Sequence, residues 1–216
     1  MHGTDWDRFA SGYSGQLYLE RRAVDKLLDL LDVGSDERLL DVATGPAVVL
    51  DQLARRERRP EEAVGIDASR EMLRRAPELP LGWVLQEGDA RRLPFADGTF
   101  DVVSASYLLH VLDAADRRAV VAEVARVLRP GGRFGTLTVA PPLSAPARAL
   151  TAPLRRAAER SEGKLRGMRP LDPAAELAAE SLVETARART FAGYPSLCVV
   201  ARLERPEPYE RVTLAG

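Results

Sequence analysis

Cysteine is almost missing from this chain: Cys198 is the only one among 216 residues. One thiol cannot close an internal disulfide, and no CxxC pair offers a zinc site, so no metal is expected. Cys198 lies in the apolar run 197–200 and reads as a small buried hydrophobe, which a reducing compartment suits. Histidine is nearly as scarce, with His110 the sole imidazole in the body of the chain. Net charge is also lacking: the formal value is −1, so the molecule as a whole does not attract nucleic acid. No apolar run approaches the roughly 18 residues that a membrane span needs. The first residues show no basic segment followed by an apolar one, so no secretory leader is expected and a cytoplasmic location is the default.

What is present is ordinary globular material. Apolar residues make up 45% and charged residues 29%, with no repeat or low-complexity tract, and the length suits one domain over 1–216.

The order of apolar runs and breakers gives the architecture. Residues 5–31 read as a helical segment stopped by Gly34, with 1–31 acting as an N-terminal cap. Leu39-Leu40-Asp41-Val42 is a short strand, and Thr44-Gly45-Pro46 a tight turn into a helix from Val48, with Pro46 suited to its first turn. Further strands follow at 63–67, 83–86, 100–105 and 133–139. Helices fall between them, one capped by Ser69 and another running from about Asp116 to Leu128 before Arg129-Pro130-Gly131-Gly132. Strands alternating with helices imply βαβ units and a parallel sheet. Near the end, the strand-like runs 185–191 and 197–203 are separated by only 192–196, too short for a helical crossover, so they form an antiparallel hairpin. The expected fold is therefore α/β: a doubly wound, mostly parallel seven-stranded sheet closing in an antiparallel hairpin. Between strand five and the last units, 141–170 carries seven cations, from Arg148 to Arg169, against Glu159 and Glu162. It reads either as a solvated basic helix or as a lid inserted over the site.

Three positions at strand ends could meet a ligand, since doubly wound sheets bind beyond the carboxyl ends of their strands. Gly45 would let backbone approach closely, with the free N–H groups of a helix start beside it, although one glycine can also be only a turn. Asp67 ends the second strand, 22 residues after Gly45. Its carboxylate could accept from both hydroxyls of a ribose, or alternatively stabilise the next helix through its dipole. Asp89, after the third strand, could accept from the exocyclic amine of adenine, or simply close an Asp turn.

Taken in order, five blocks carry a resemblance: Leu39 to Ala47 (LLDVATGPA), Val64 to Leu73 (VGIDASREML), Glu87 to Phe95 (EGDARRLPF), Phe100 to Ser106 (FDVVSAS) and Leu128 to Gly132 (LRPGG). Together they resemble the class I S-adenosylmethionine-dependent methyltransferases, and within them the small-molecule group that includes the quinone-biosynthesis enzymes. The resemblance implies S-adenosylmethionine as cofactor. Asp41 would orient the turn and the methionine ammonium, and Ala43 and Gly45 would pass close to the methionine portion. Asp67 would hold the ribose, Ala68 and Met72 would pack on adenine, and Asp89 and Ala90 would recognise its edge. Ser104 would offer a carbonyl or hydroxyl to the ammonium, and Tyr13 would belong to a leading segment that closes over the cofactor. The family's turn often has three glycines; here Ala43 and Ala47 occupy two of those places. Ala47 adds a methyl where helix and strand pack closely, so a slight tilt of the helix is expected.

The acceptor side is less defined. Methyltransferases that act on nucleic-acid amines carry Asn/Asp-Pro-Pro-Tyr/Phe after strand four, and Ser104-Ala105-Ser106-Tyr107 keeps only the aromatic. A small-molecule acceptor is expected rather than nucleic acid, for a monomer or homodimer. His110 is the candidate general base, or else a histidine packed on a helical turn. The alternatives are a protein that binds the cofactor without methyl transfer or with another reaction, and a nicotinamide-dependent oxidoreductase. The single turn glycine does not fit the GxGxxG spacing of the latter.

Overall fold

In the computed structural model, the described residues are 14–144, 169–191 and 195–204, with isolated positions of a helical stretch between 146 and 156. Tyr13, the start of the expected N-terminal cap and most of 141–170 lie outside them. Helix α1 (Ser14–Leu31) is followed by β1 (Arg38–Val42), α2 (Val48–Ala54), β2 (Glu62–Asp67), α3 (Arg70–Leu73), β3 (Val84–Glu87) and β4 (Phe100–Ser106). A single 3-10 turn (Leu109–Val111) leads to α4 (Ala114–Val127), β5 (Leu128–Val139), α5 (Ala174–Ala179), β6 (Leu182–Thr190) and β7 (Ser196–Leu203).

The seven strands form one sheet in the order β3-β2-β1-β4-β5-β7-β6. The first five run parallel, and β7 slots antiparallel between β5 and β6. The expected doubly wound sheet with a closing hairpin is therefore present. The chain winds outward in both directions from the β1–β4 pair, which makes that boundary the switch point where such sheets open a crevice.

Strand alternation explains the two-sided core. Val102 packs with α1 and α2 on one face, among Leu27, Leu31, Leu50 and Leu53, whereas Val103 and Ala105 face α4 with Val120, Val121 and Val124. In β7, Cys198 and Val200 join the first layer, and Leu197, Val199 and Ala201 join the second. Cys198 is fully buried, and burial pushes its thiol up to about 11, so it behaves as the apolar residue expected. Gly135 lets α1 lie close on the sheet: a Cβ there would sit 2.8 Å from Cδ1 of Leu31.

Two local expectations are corrected. Pro46 does not open α2; Ala47 is its N-cap, in the left-handed region, so the helix starts at Val48 after the turn has finished. The Arg129-Pro130-Gly131-Gly132 turn is not a gap between α4 and a later strand. Leu128 already pairs with Phe100 and Arg133 with Val102, so the intervening residues form a bulge within one long strand.

Candidate functional site

A cleft of about 850 Å³, its open mouth included, lies at the carboxyl ends of β1, β2, β3 and β4. It is lined by Ala43 and Gly45 from the β1 turn, Asp67, Ala68 and Met72 from β2 and α3, and Gly88 to Arg91 after β3. Ser106 to Leu108, Val111 and Leu112 line it after β4, with Asp116 and Val120 from α4. Seven of the residues singled out in the sequence thus meet in one place: Ala43, Gly45, Asp67, Ala68, Met72, Asp89 and Ala90.

The β1 turn has an unusual backbone. Ala43, Gly45 and Ala47 alternate into the left-handed region, with φ of 55°, 56° and 61°. For an alanine that conformation costs about 1–2 kcal/mol, so surrounding contacts must hold it. The holding contacts come from β2. Thr44 donates its N–H to the carbonyl of Ile66 at 3.0 Å, and Gly45 donates its N–H to Oδ2 of Asp67 at 2.8 Å. Oδ1 of Asp67 accepts from the N–H of Ser69, also at 2.8 Å. One carboxylate therefore ties the β1 turn to the start of α3. Ser69 Oγ accepts from Met72 N–H, making Ser69 the helix cap, as its sequence position suggested, and setting Met72 against the cleft. Ala43 and Ala47 thus hold a left-handed conformation that glycine adopts more readily, and Gly45 between them is the one glycine of the turn. At Gly45 an added Cβ would meet no protein atom within 4 Å, so the space above it is open for a ligand.

Asp41 and Ser104 are not cleft residues. They are register partners in adjacent strands, 1% and 0% exposed, and the Ser104 hydroxyl donates to Oδ1 of Asp41 at 2.7 Å. Burial pushes the Asp41 carboxyl up to about 6, the Thr44 and Ser104 hydroxyls pull it back, and the charge of Asp67 raises it further. Thr44 Oγ1 is near enough to act electrostatically but lies outside hydrogen-bonding geometry. It and Oδ2 of Asp41 have no hydrogen-bond partner among the described residues. The reason for the correction is register. Ser104 sits inside β4, paired on both sides, and the residue of the same strand face that reaches the carboxyl rim is Ser106. Ser106 lines the cleft, and its Oγ is buried with no hydrogen-bond partner among the described residues.

His110 is also relocated. It is 4% exposed, lies in the 3-10 turn and does not line the cleft. Its ring meets Tyr107 edge-on, with centroids 6.0 Å apart. The cause is the left-handed residue at the end of β4. Tyr107 has a φ of 57° and lines the cleft, as do Leu108, Val111 and Leu112 after it, whereas His110 is buried within the same turn. Its N–H donates to Leu137, and its hydroxyl shares a 2.8 Å hydrogen bond with Ser196 at the start of β7. Tyr107 was the aromatic just past the strand end, which was its only signal in the sequence. Arg91 gave none: it lines the cleft and bridges Asp89 to Asp116. The hydrogen bonds from Arg91 hold the Asp89 carboxyl below its ordinary range.

A family model described as Methyltransferase domain matches residues 39–132, which contain every strand end lining this cleft. Over these residues the chain is similar to methyltransferase domains. Over 107 residues the chain is 42% identical to a ubiquinone/menaquinone biosynthesis C-methyltransferase of Desulfotalea psychrophila, covering 49% of this chain and 42% of that protein. Nocamycin O-methyltransferase of Saccharothrix syringae is 38% identical over 145 residues, covering 64% of this chain and 51% of its own length. The chain spans about half the length of these curated relatives. A chain from the complex between the Haloferax volcanii Trm112 methyltransferase activator and a putative methyltransferase superposes with a TM-score of 0.69. That match covers 96% of this chain and 98% of that one at 16% identity, a likeness of fold. The matched residues resemble the quinone-biosynthesis group of methyltransferases, and the likeness implies S-adenosylmethionine as cofactor. The residues present fit that cofactor: a carboxylate at the end of β2, an open backbone approach at Gly45, and a cleft wall of Ala68, Met72 and Ala90. No group of residues suited to a metal ion occurs among the described residues, and no described helix is long and apolar enough to cross a membrane.

Proposed function

We propose that the chain transfers a methyl group from S-adenosylmethionine to a small-molecule acceptor. The observation that carries this reading is the Asp67 carboxylate. It lies at the carboxyl end of β2, in the cleft that also takes in the ends of β1 and β4, fixed by the N–H groups of Gly45 and Ser69, beside open space over Gly45. In this reading Asp67 holds the ribose hydroxyls and Asp89 accepts from the adenine amine. Ala68, Met72 and Ala90 flank the ring, and Ala43 and Gly45 pass the methionine portion. Ser106, not Ser104, supplies the polar group at the β4 end, and Asp41 shapes the turn from beneath.

When bound, the cofactor supplies a methyl on sulfonium sulfur, already electrophilic and ready for in-line displacement. The chain's own task is then positioning and water exclusion, which need no dedicated base. Ser106 and Tyr107 are the polar side chains at the β4 end of the cleft, beside Leu108, Val111 and Leu112. Tyr107, braced by Ser196, faces the cleft where His110 does not, so it takes the acceptor-facing role. A small-molecule acceptor is supported by the curated relatives, whose names place them in quinone and nocamycin chemistry. It is further supported by the near-zero net charge and by the missing Asn/Asp-Pro-Pro-Tyr/Phe motif.

Thermal shifts with S-adenosylmethionine, S-adenosylhomocysteine and NAD, measured in parallel, test the cofactor half. The first two should stabilise the protein and NAD should not; stabilisation by NAD alone overturns the reading. A screen of phenolic, quinol and amine acceptors for the mass gain of one methyl group then tests transfer. A protein that binds the cofactor and methylates none of them would be a binding module instead.

A further inference from the structure

Arg91 and Asp116 line the cleft without a part in the reading above, and together with Asp89 they form an ionic cluster. Arg91 Nε and Nη2 grip Asp89 from the side, at 3.0 Å to Oδ1 and 2.7 Å to Oδ2, while the Arg91 N–H also reaches Oδ1 at 2.9 Å. The remaining arm, Nη1, crosses to Oδ1 of Asp116 in the first turn of α4 at 3.1 Å. All three residues line the cleft.

This arrangement exceeds what the local fold requires. Asp89 is on an exposed loop, with 48% of its side-chain surface accessible, and an isolated ion pair there would contribute little to stability. A two-pronged guanidinium does something else: it fixes the plane of the carboxylate. A carboxylate has about four acceptor directions. Arg91 brings three hydrogens to these directions: its N–H on Oδ1, Nη2 on Oδ2, and Nε shared between Oδ1 and Oδ2 at 3.0 and 3.1 Å. Three donors for about four directions leave the carboxylate room for one further N–H donor. Asp116 stops the guanidinium from turning with the loop, because it is anchored on a different element whose N-cap, Asp113, holds the Asp116 N–H at 2.9 Å.

We infer that Arg91 is a positioning residue for nucleobase recognition: tethered to Asp116, it aims the remaining acceptor of Asp89 at the exocyclic amine of the adenine ring. The inference rests on the proposed role of Asp89 and adds a cause for its selectivity. With its plane fixed, Asp89 rewards an amine at that place and repels a carbonyl oxygen. Released, it can rotate away from the oxygen and lose much of that preference. A lysine at 91 keeps the charge but has no planar fork to set the carboxylate.

The test compares S-adenosylhomocysteine with its inosine counterpart, in which a carbonyl replaces the exocyclic amine, by titration calorimetry on the full chain. The ratio of the two affinities is read within each variant, so a partly unfolded sample cancels. The wild type should favour the adenine form by about tenfold or more, the worth of one charge-assisted hydrogen bond. Arg91→Ala should bring that ratio close to one, Arg91→Lys should recover little of it, and Asp116→Asn should reduce it by a smaller factor. A merely structural role for Arg91 would weaken both ligands alike and leave the ratio unchanged. An unchanged or increased ratio in Arg91→Ala, while Asp89→Ala abolishes it, overturns the inference and spares the role of Asp89. A ratio that survives Asp89→Ala overturns both. A wild type that binds neither ligand removes the cofactor reading itself.

Discussion

The two ends of the cleft are built by different means. At the β1–β2–β3 end, short-range chemistry dominates: a turn of three left-handed residues, a carboxylate taking two backbone N–H groups, and a serine capping its own helix. At the β4 end, the decisive contacts come from far along the chain. Tyr107 is fixed by Leu137 and by Ser196, the latter 89 residues away, and Ser106 is singled out only by where β4 stops. The first end is a rigid cradle whose parts announce themselves by spacing. The second is a wall whose character depends on which strands lie beside it.

The sharpest way to break the contrast is Asp67→Ala. It orphans the N–H groups of Gly45 and Ser69 and removes the proposed ribose acceptor. Affinity for S-adenosylhomocysteine should fall about 100-fold or more, and stability by about 1–3 kcal/mol, checked by calorimetry and denaturant unfolding. A loss under threefold would mean that the cradle does not depend on this carboxylate.

Asp41 tests the buried floor beneath the turn. Its folded-state carboxyl is pushed up to about 6, above the ordinary aspartate value of 3.8, so the native state holds the proton more tightly than the unfolded chain. The cost of the buried charge is present in full above pH 6 and is relieved as pH falls from there towards 4. It amounts to at most about 3 kcal/mol. Glu37, Asp89, Glu123 and Asp172 are held below their ordinary values and act in the opposite sense, losing stabilisation at lower pH. Asp41→Asn should therefore remove the stabilisation that the carboxyl contributes as pH falls from about 6 to 4, and its amide could donate to Thr44 Oγ1. Urea unfolding of both proteins across that window checks this. Parallel pH profiles for the two would show that the carboxyl titrates normally.

The smallest change belongs to the acceptor end. Tyr107→Phe removes the hydroxyl bonded to Ser196 and should cost about 1 kcal/mol of stability. Cofactor affinity should stay within about twofold, while turnover with an identified acceptor falls. Equal losses of affinity and turnover would erase the distinction between the two ends.

Much of the fold was readable because buried parallel strands print themselves as short apolar runs. The runs at 39–42 and 100–105 became β1 and β4, and the short link at 192–196 implied the hairpin of β6 and β7. Gly45 and Asp67 were readable as a pair because both follow the carboxyl ends of consecutive strands, which a doubly wound sheet lays side by side. Ser104 and His110 were misplaced for one shared reason. Which residue of a strand reaches the rim, and which way the chain turns after it, depends on the neighbouring strand's register and on the left-handed turn at Tyr107. Arg91 was invisible because its second partner, Asp116, comes from an element 25 residues on, and side-chain charge carries no address. The sequence by itself determined the strand order's raw material, the cofactor cradle and the buried character of Cys198, all set by periodicity and short-range sterics. Only the tertiary structure decided which side chains enter the cleft from β4 and α4, because that choice is made by packing between elements distant in the chain.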